Sequence, residues 1–172
     1  MNLEDIHTLY DYNSWANHRV LDACAALTNE QFTRALGSSF GSVRDTLMHL
    51  CGAEARWLDR WHNRPLGAFP PPADYADLDA VRRRWSDVER NLLDYVASLT
   101  QDDLQRPLQL KIAGQSGTMP LYQSLQHLAN HGTYHRGQVT TLLRQLGATP
   151  VDTDLIRFYL ERAAQTGAGT NA

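Results

Sequence analysis

Histidine recurs at positions 127, 131 and 135 within the segment QHLANHGTYHRGQ, residues 126–138. On a helix of 3.6 residues per turn, a four-residue spacing puts successive side chains one turn apart on one face. Imidazole nitrogen is a favoured ligand for zinc and related transition metals, so two histidines on adjacent turns can aim at a single ion. Leu121, Leu125, Leu128, Val139, Leu142, Leu143 and Leu146 surround these histidines at helical spacing and define an inward stripe. On that wheel His135 falls inside the stripe, His131 at its flank and His127 further out. His49, at the edge of another inward-facing stripe, offers a third ligand, so the expected metal set is His49, His131 and His135. His127 is left to the rim, either behind the ligands or as a plain surface histidine.

Three neutral imidazoles leave one position of a four-coordinate ion open to water or substrate, the pattern of a reactive rather than a structural site. Zinc is the default occupant, and nickel, iron or copper also suit imidazole. Polar residues lie on the same inward faces. Glu54 sits near the centre of the His49 stripe, where a carboxylate is costly unless it is paired with an arginine or placed beside a metal. It is therefore read either as an ion-pair partner or as a tentative catalytic proton acceptor. Asn13 and Asn17 interrupt the apolar stripe of the first helix, and either form a polar layer with neighbouring helices or line a cavity. Gly132 follows His131 where a zinc-protease HExxH motif requires glutamate, so that base is missing. Glu4-x-x-His7 is the one instance of the motif that a di-iron bundle needs on two helices.

The elements that must position these residues read as helices throughout. The first spans about Leu3 to Leu27, with Trp15 opposite its stripe as a candidate subunit contact. Ser42, with Asp45 three residues on in the place of a capping-box acid, starts a second helix that runs to about His62. Pro65, Pro70, Pro71 and Pro72 exclude helix and mark an extended crossover. A third helix starts at an Asp77 cap and reaches about Leu99, carrying no histidine and reading as a structural wall. Leu108 to Ile112 alternates as a short extended piece; Thr118 is then placed as the cap of the fourth helix and Gly147 as its stop. A short terminal helix covers about Leu155 to Ala164. The sum is an all-α four-helix bundle forming a single domain over residues 1–166, with a frayed tail at 167–172.

Composition fits this picture. At 172 residues the chain can bury a core without staples. A formal charge of -3 gives no case for nucleic acid or an anionic membrane. Cys24 and Cys51 form no CxxC pair and read as buried free thiols. The amino terminus lacks a signal sequence, and no apolar run approaches the roughly 20 residues of a membrane helix, so a cytoplasmic location is expected.

Tyr12-Asn13-x-Trp15-Ala16-Asn17, His49 followed by Ala53-Glu54, and the run from Asn130 to Gln138 together resemble the DinB/YfiT-like family, with similarity continuing through Thr153-Asp154-Leu155. The resemblance implies an up-down-down-up bundle, often dimeric, and a divalent metal held at the positions of His49, His131 and His135. Family members with known activity use low-molecular-weight thiols; they include mycothiol-dependent maleylpyruvate isomerase and bacillithiol transferase. The expected function is thus a metal-dependent, thiol-using S-transferase, or a related hydrolase or isomerase, acting on a small molecule as a homodimer. The rival readings are a metal-binding stress protein without turnover and a purely structural bundle.

Overall fold

The computed structural model describes residues 1–112 and 114–168. Four long helices carry the fold: α1 (Leu3–Cys24), α3 (Val43–Trp61), α4 (Leu78–Ala97) and α5 (Leu121–Gln145). A short α2 (Asn29–Thr33) lies between the first two, and α6 (Leu155–Ala168) closes the chain. Between α4 and α5 the strands β1 (Pro107–Ile112) and β2 (Gln115–Pro120) pair as an antiparallel hairpin. The expected helical bundle is observed, with this small hairpin added; its first strand is the alternating segment already visible in the sequence.

Local chemistry sets the boundaries. Asn2 and Asp5 form a reciprocal capping box at α1, with both bonds at 2.8 Å, and Thr28 with Gln31 does the same at α2. Ser42 caps α3 by accepting from the Asp45 amide at 3.1 Å. The Asp45 carboxylate does not complete a box; it takes the Arg44 guanidinium at 3.0 Å instead. Asp77 caps α4 as expected, whereas Thr118 lies in β2 and α5 begins directly after Pro120. Gly147 turns the chain out of α5 at φ +76°, a backbone that favours glycine. The terminal helix continues to Ala168, past the expected end at Ala164, so residues 167 and 168 are helical; residues 169–172 of the expected tail lie outside the described residues.

Cross-helix bonds fix the topology. Tyr10 on α1 donates to Leu125 near the start of α5, and Asn13 and Asn17 meet Arg136 further along both helices, so α1 and α5 run parallel. Arg82 at the start of α4 reaches Leu21 and Asp22 at the end of α1, which makes that pair antiparallel. Trp61 at the end of α3 donates to Ser124 near the start of α5 at 2.9 Å, an antiparallel pair. Glu54–Trp85 and the Trp61–Tyr95 ring stack show α3 and α4 running together. The order is up-down-down-up, and the proline-rich crossover is the long return that two consecutive parallel helices need. Trp15 does not present a free face: it packs at 5.6 Å on Phe158 of α6 and donates to Glu161 at 3.0 Å.

One charged layer joins all four long helices within a largely apolar core. The Glu54 carboxylate, 3% exposed, accepts from Asn13 Nδ2 and Asn17 Nδ2 of α1 at 3.0 Å each and from Trp85 Nε1 of α4 at 2.8 Å. The same two asparagines turn their oxygens to Arg136 Nη1 of α5, at 2.8 Å each. Arg136 is completely buried. Its guanidinium also donates to Thr133 and lies 5.3 Å from the Tyr12 ring centre. Gly132 makes room: a Cβ there would stand 2.7 Å from Arg136 Nη1 and 2.8 Å from Asn13 Oδ1. Burial raises the Glu54 carboxyl above its ordinary value, while its three N–H donors pull it down; burial likewise lowers the Arg136 guanidinium.

Removing one charge of such a pair strands the other in a dry core. Arg136→Met should therefore lower the unfolding free energy by about 3–5 kcal/mol in urea denaturation, and adding Glu54→Leu should restore part of that loss. Equal stability of Arg136→Met and the wild type would show that the layer carries no net electrostatic coupling.

Candidate metal centre

His49 on α3 faces His131 and His135 on the antiparallel α5. The ring centres lie 5.1 Å (His49–His131), 4.6 Å (His49–His135) and 4.3 Å (His131–His135) apart. Each ring offers a nitrogen, and these three nitrogens all lie within 4.8 Å of one another. His49 Nε2 and His131 Nε2 stand 3.1 Å apart. Two nitrogens each about 2.0–2.1 Å from a shared tetrahedral ion sit roughly 3.3 Å apart, so this spacing fits a metal between them.

Protonation favours the same fit. Burial, and then the neighbouring His135, push His49 down to about 4. Burial followed by His135, His49 and His127 brings His131 to about 4 as well. Both rings are neutral near pH 7 and keep a lone pair, the form in which imidazole binds metals. His135 Nδ1 lies 2.8 Å from Gln138 Oε1. An amide oxygen only accepts, so the proton sits on Nδ1 and the Nε2 lone pair is directed away from Gln138. His131 Nδ1 is buried without a hydrogen-bond partner, which shows that hydrogen bonding within the protein does not satisfy this cluster. The three residues can hold a divalent metal ion.

The other residues marked in the sequence fall in different places. His127 is exposed at the rim, 5.2 Å from the Trp57 ring and 6.0 Å from His131; its pKa is lowered by burial of the ring and by Arg60. Glu54, Asn13 and Asn17 belong to the polar layer and are not members of the histidine group. Sequence reasoning did not single out Gln138, Trp85, Phe40 or Phe69. Gln138 had a usable signal in its i+3 spacing from His135, whereas the two phenylalanines sit in loops where no periodicity points. A separate surface hollow of about 460 Å³ between α3 and α4, lined in part by His62, Arg64, Arg84 and Tyr95, includes none of the three histidines.

Comparison with known proteins finds relatives of the chain as a whole. The profile of the DinB family matches residues 1–167. Protein DinB of Bacillus subtilis (strain 168) is 31% identical over 153 residues, covering 85% of this chain and 88% of that one. The uncharacterized protein YkkA of the same organism is 23% identical over 119 residues, 60% of this chain and 66% of its own length. Among solved structures, a DinB-like protein from Bacillus cereus ATCC 10987 superposes with a TM-score of 0.63 at 22% identity, over 81% of this chain and 92% of that one. The sibling lethal factor precursor DfsB gives a TM-score of 0.61 at 16% identity, over 84% of this chain and 96% of that one.

The lowered histidines make the metal-free protein acid-sensitive. An unfolded histidine titrates near 6.5, whereas folded His49 and His131 are held at about 4. Between these values the unfolded chain binds more protons, so stability is lost as pH falls from about 6.5 to about 4. Thermal melting across that range should show a flatter pH dependence for His49→Asn/His131→Asn than for the wild type. Identical slopes would mean that the two rings are not held neutral.

Proposed function

The chain belongs to the DinB family, and on that footing we propose that it is a metal-dependent enzyme, a thiol-dependent S-transferase or a related hydrolase or isomerase. His49, His131 and His135 are its metal ligands, and zinc is the proposed ion, with nickel or iron as alternatives. The observation that carries this reading is the meeting of three imidazoles from two helices with their nitrogens within 4.8 Å. A divalent ion held by three histidines supplies one thing: it acidifies a thiol or water in its open position, so that a nucleophile exists near neutral pH.

The chain's own residues do the rest. Gln138 keeps the His135 proton on Nδ1 and its lone pair on Nε2. Phe40, stacked 3.9 Å from the His49 ring, shields that side of the cluster from water. We assign Glu54 to anchoring the bundle rather than to accepting a proton, because its two oxygens already take three N–H donors. Asn13 and Asn17 are assigned to the same anchoring layer, and His127 to the rim, where it can meet a substrate. A low-molecular-weight thiol is the proposed cosubstrate and a small electrophile the substrate, as the resemblance to thiol-using family members suggests.

No helix among the described residues is long and apolar enough to cross a membrane. We propose a single domain over residues 1–166 that works in the cytoplasm as a homodimer. Ile156 and Leu160 of α6, 64% and 62% exposed, support a second copy on that face.

Elemental analysis of protein purified without a histidine tag should find about one equivalent of metal per chain, and His135→Ala should lose most of it. Gln138→Ala should weaken binding about 10–100-fold. Conjugation of chlorodinitrobenzene with several cellular thiols should depend on the metal and stop on chelation. Activity that ignores chelator would remove the metal from the mechanism, and metal binding with no turnover would favour a binding protein.

A further inference from the structure

His135 is oriented by a hydrogen bond from its own helix, but His49 is not. Among the described residues no protein group bonds to His49 Nδ1; its one recorded hydrogen bond is the Nε2 contact with His131. A ligating imidazole ordinarily has its second nitrogen tied to an acceptor, which fixes the plane of the ring. Around His49 that acceptor is replaced by aromatic rings. Phe40, from the loop before α3, lies 3.9 Å away at 19°, nearly face to face. Phe69, from the proline-rich crossover, lies 5.4 Å away at 15°, also nearly parallel. Phe40 additionally sets its edge against His135 at 5.3 Å and 67°.

The placement of Phe69 is built into α3. Gly52, three residues after His49 on the same face, has its missing side chain filled by Phe69: a Cβ there would stand 2.6 Å from Cδ1 and 3.0 Å from Cε1 of that ring. One turn further on, the Arg56 guanidinium lies 4.8 Å from the Phe69 ring centre and its Nη1 donates to the Gly67 carbonyl of the same loop. Pro70, Pro71 and Pro72 follow immediately and limit how far the loop can swing. A phenylalanine that is 43% exposed thus has a seat beneath it and a cation against it, with little apolar burial to explain the arrangement.

We propose that Phe40 and Phe69 are positioning residues for the metal ligand His49, holding its ring plane by stacking where a hydrogen-bond acceptor is lacking, with Gly52 as the seat that makes the Phe69 contact possible. This rests on the metal reading given above. It also makes the proline-rich crossover part of the metal centre, although the crossover contributes no ligand.

The test uses the untagged full-length chain, with Zn²⁺ affinity read by competition with a chromophoric chelator and ligand geometry read from the visible absorption bands of bound Co²⁺. Phe69→Ala, Phe69→Leu and Gly52→Ala should each weaken Zn²⁺ binding about 10–100-fold, the size of a lost orienting partner, and shift the Co²⁺ bands. Phe69→Tyr restores a flat ring and should return both readouts to wild type. Melting of each metal-free variant separates this from unfolding, and Phe69→Leu covers the case in which Phe69→Ala does not fold. Wild-type affinity and spectrum in Phe69→Leu and Gly52→Ala would overturn the proposal. Failure of Phe69→Tyr to recover would also overturn it, by showing that the ring face is not what matters. Failure of the wild type itself to bind Zn²⁺ or Co²⁺ would instead remove the metal reading, and this inference with it.

Discussion

A buried carboxylate and a buried guanidinium that never touch govern this bundle. Glu54 and Arg136 are linked through Asn13 and Asn17, whose amide nitrogens face the acid and whose oxygens face the base. Each ion costs several kcal/mol to take out of water, and the bridge offsets that cost only while every partner is in place. Trp85 adds a bond from α4, so the layer is complete only when α1, α3, α4 and α5 stand in one register. Sliding any helix by a turn would leave charges in the core without partners, a penalty that apolar packing alone does not impose.

That register is also what brings the histidines together. His49 lies five residues before Glu54 on α3, and His135 lies one residue before Arg136 on α5. Locking Glu54 and Arg136 into the same layer therefore fixes α3 against α5 at the level where His49 Nε2 meets His131 Nε2 at 3.1 Å. The two layers divide the work. One is charged, bonded except at Arg136 Nε and drawn from four helices. The other is made of imidazoles, leaves His131 Nδ1 unbonded and is drawn from two. Gly132 stands between His131 and His135 on α5 yet serves the charged layer, since its missing side chain admits Arg136 and Asn13.

Helical periodicity made the four long helices and the inward direction of His49, His131 and His135 legible from the sequence, because burial on one face repeats at a fixed angle. The same argument flagged Glu54, Asn13 and Asn17 as polar intruders but did not name their partners. Arg136 was hidden by its type: an arginine is rarely buried, and only Gly132 at i−4 hinted at space for one. Trp85 read as a wall residue because its apolar bulk fits a stripe equally well, and only its indole N–H reaches Glu54. Thr118 was misplaced because a good capping residue does not cap when the ladder of β1 and β2 already holds its backbone. The loop residues Phe40 and Phe69 had no periodic signal, since their positions are set by contacts distant in sequence.

The histidine cluster is consequently asymmetric in what holds it. His135 is buried and tied within α5 to Gln138, so its orientation is fixed as soon as the helix forms. His49 is only partly buried, and the rings against it come from the loop before α3 and the crossover after it. A disturbance of the crossover at Phe69 or Arg56 would bear on His49, whose ring stacks on Phe69, and not on the bond between His135 and Gln138. The segment with the least regular structure near the site is thus the one with mechanical access to it, and the bundle supplies the fixed frame against which that access operates.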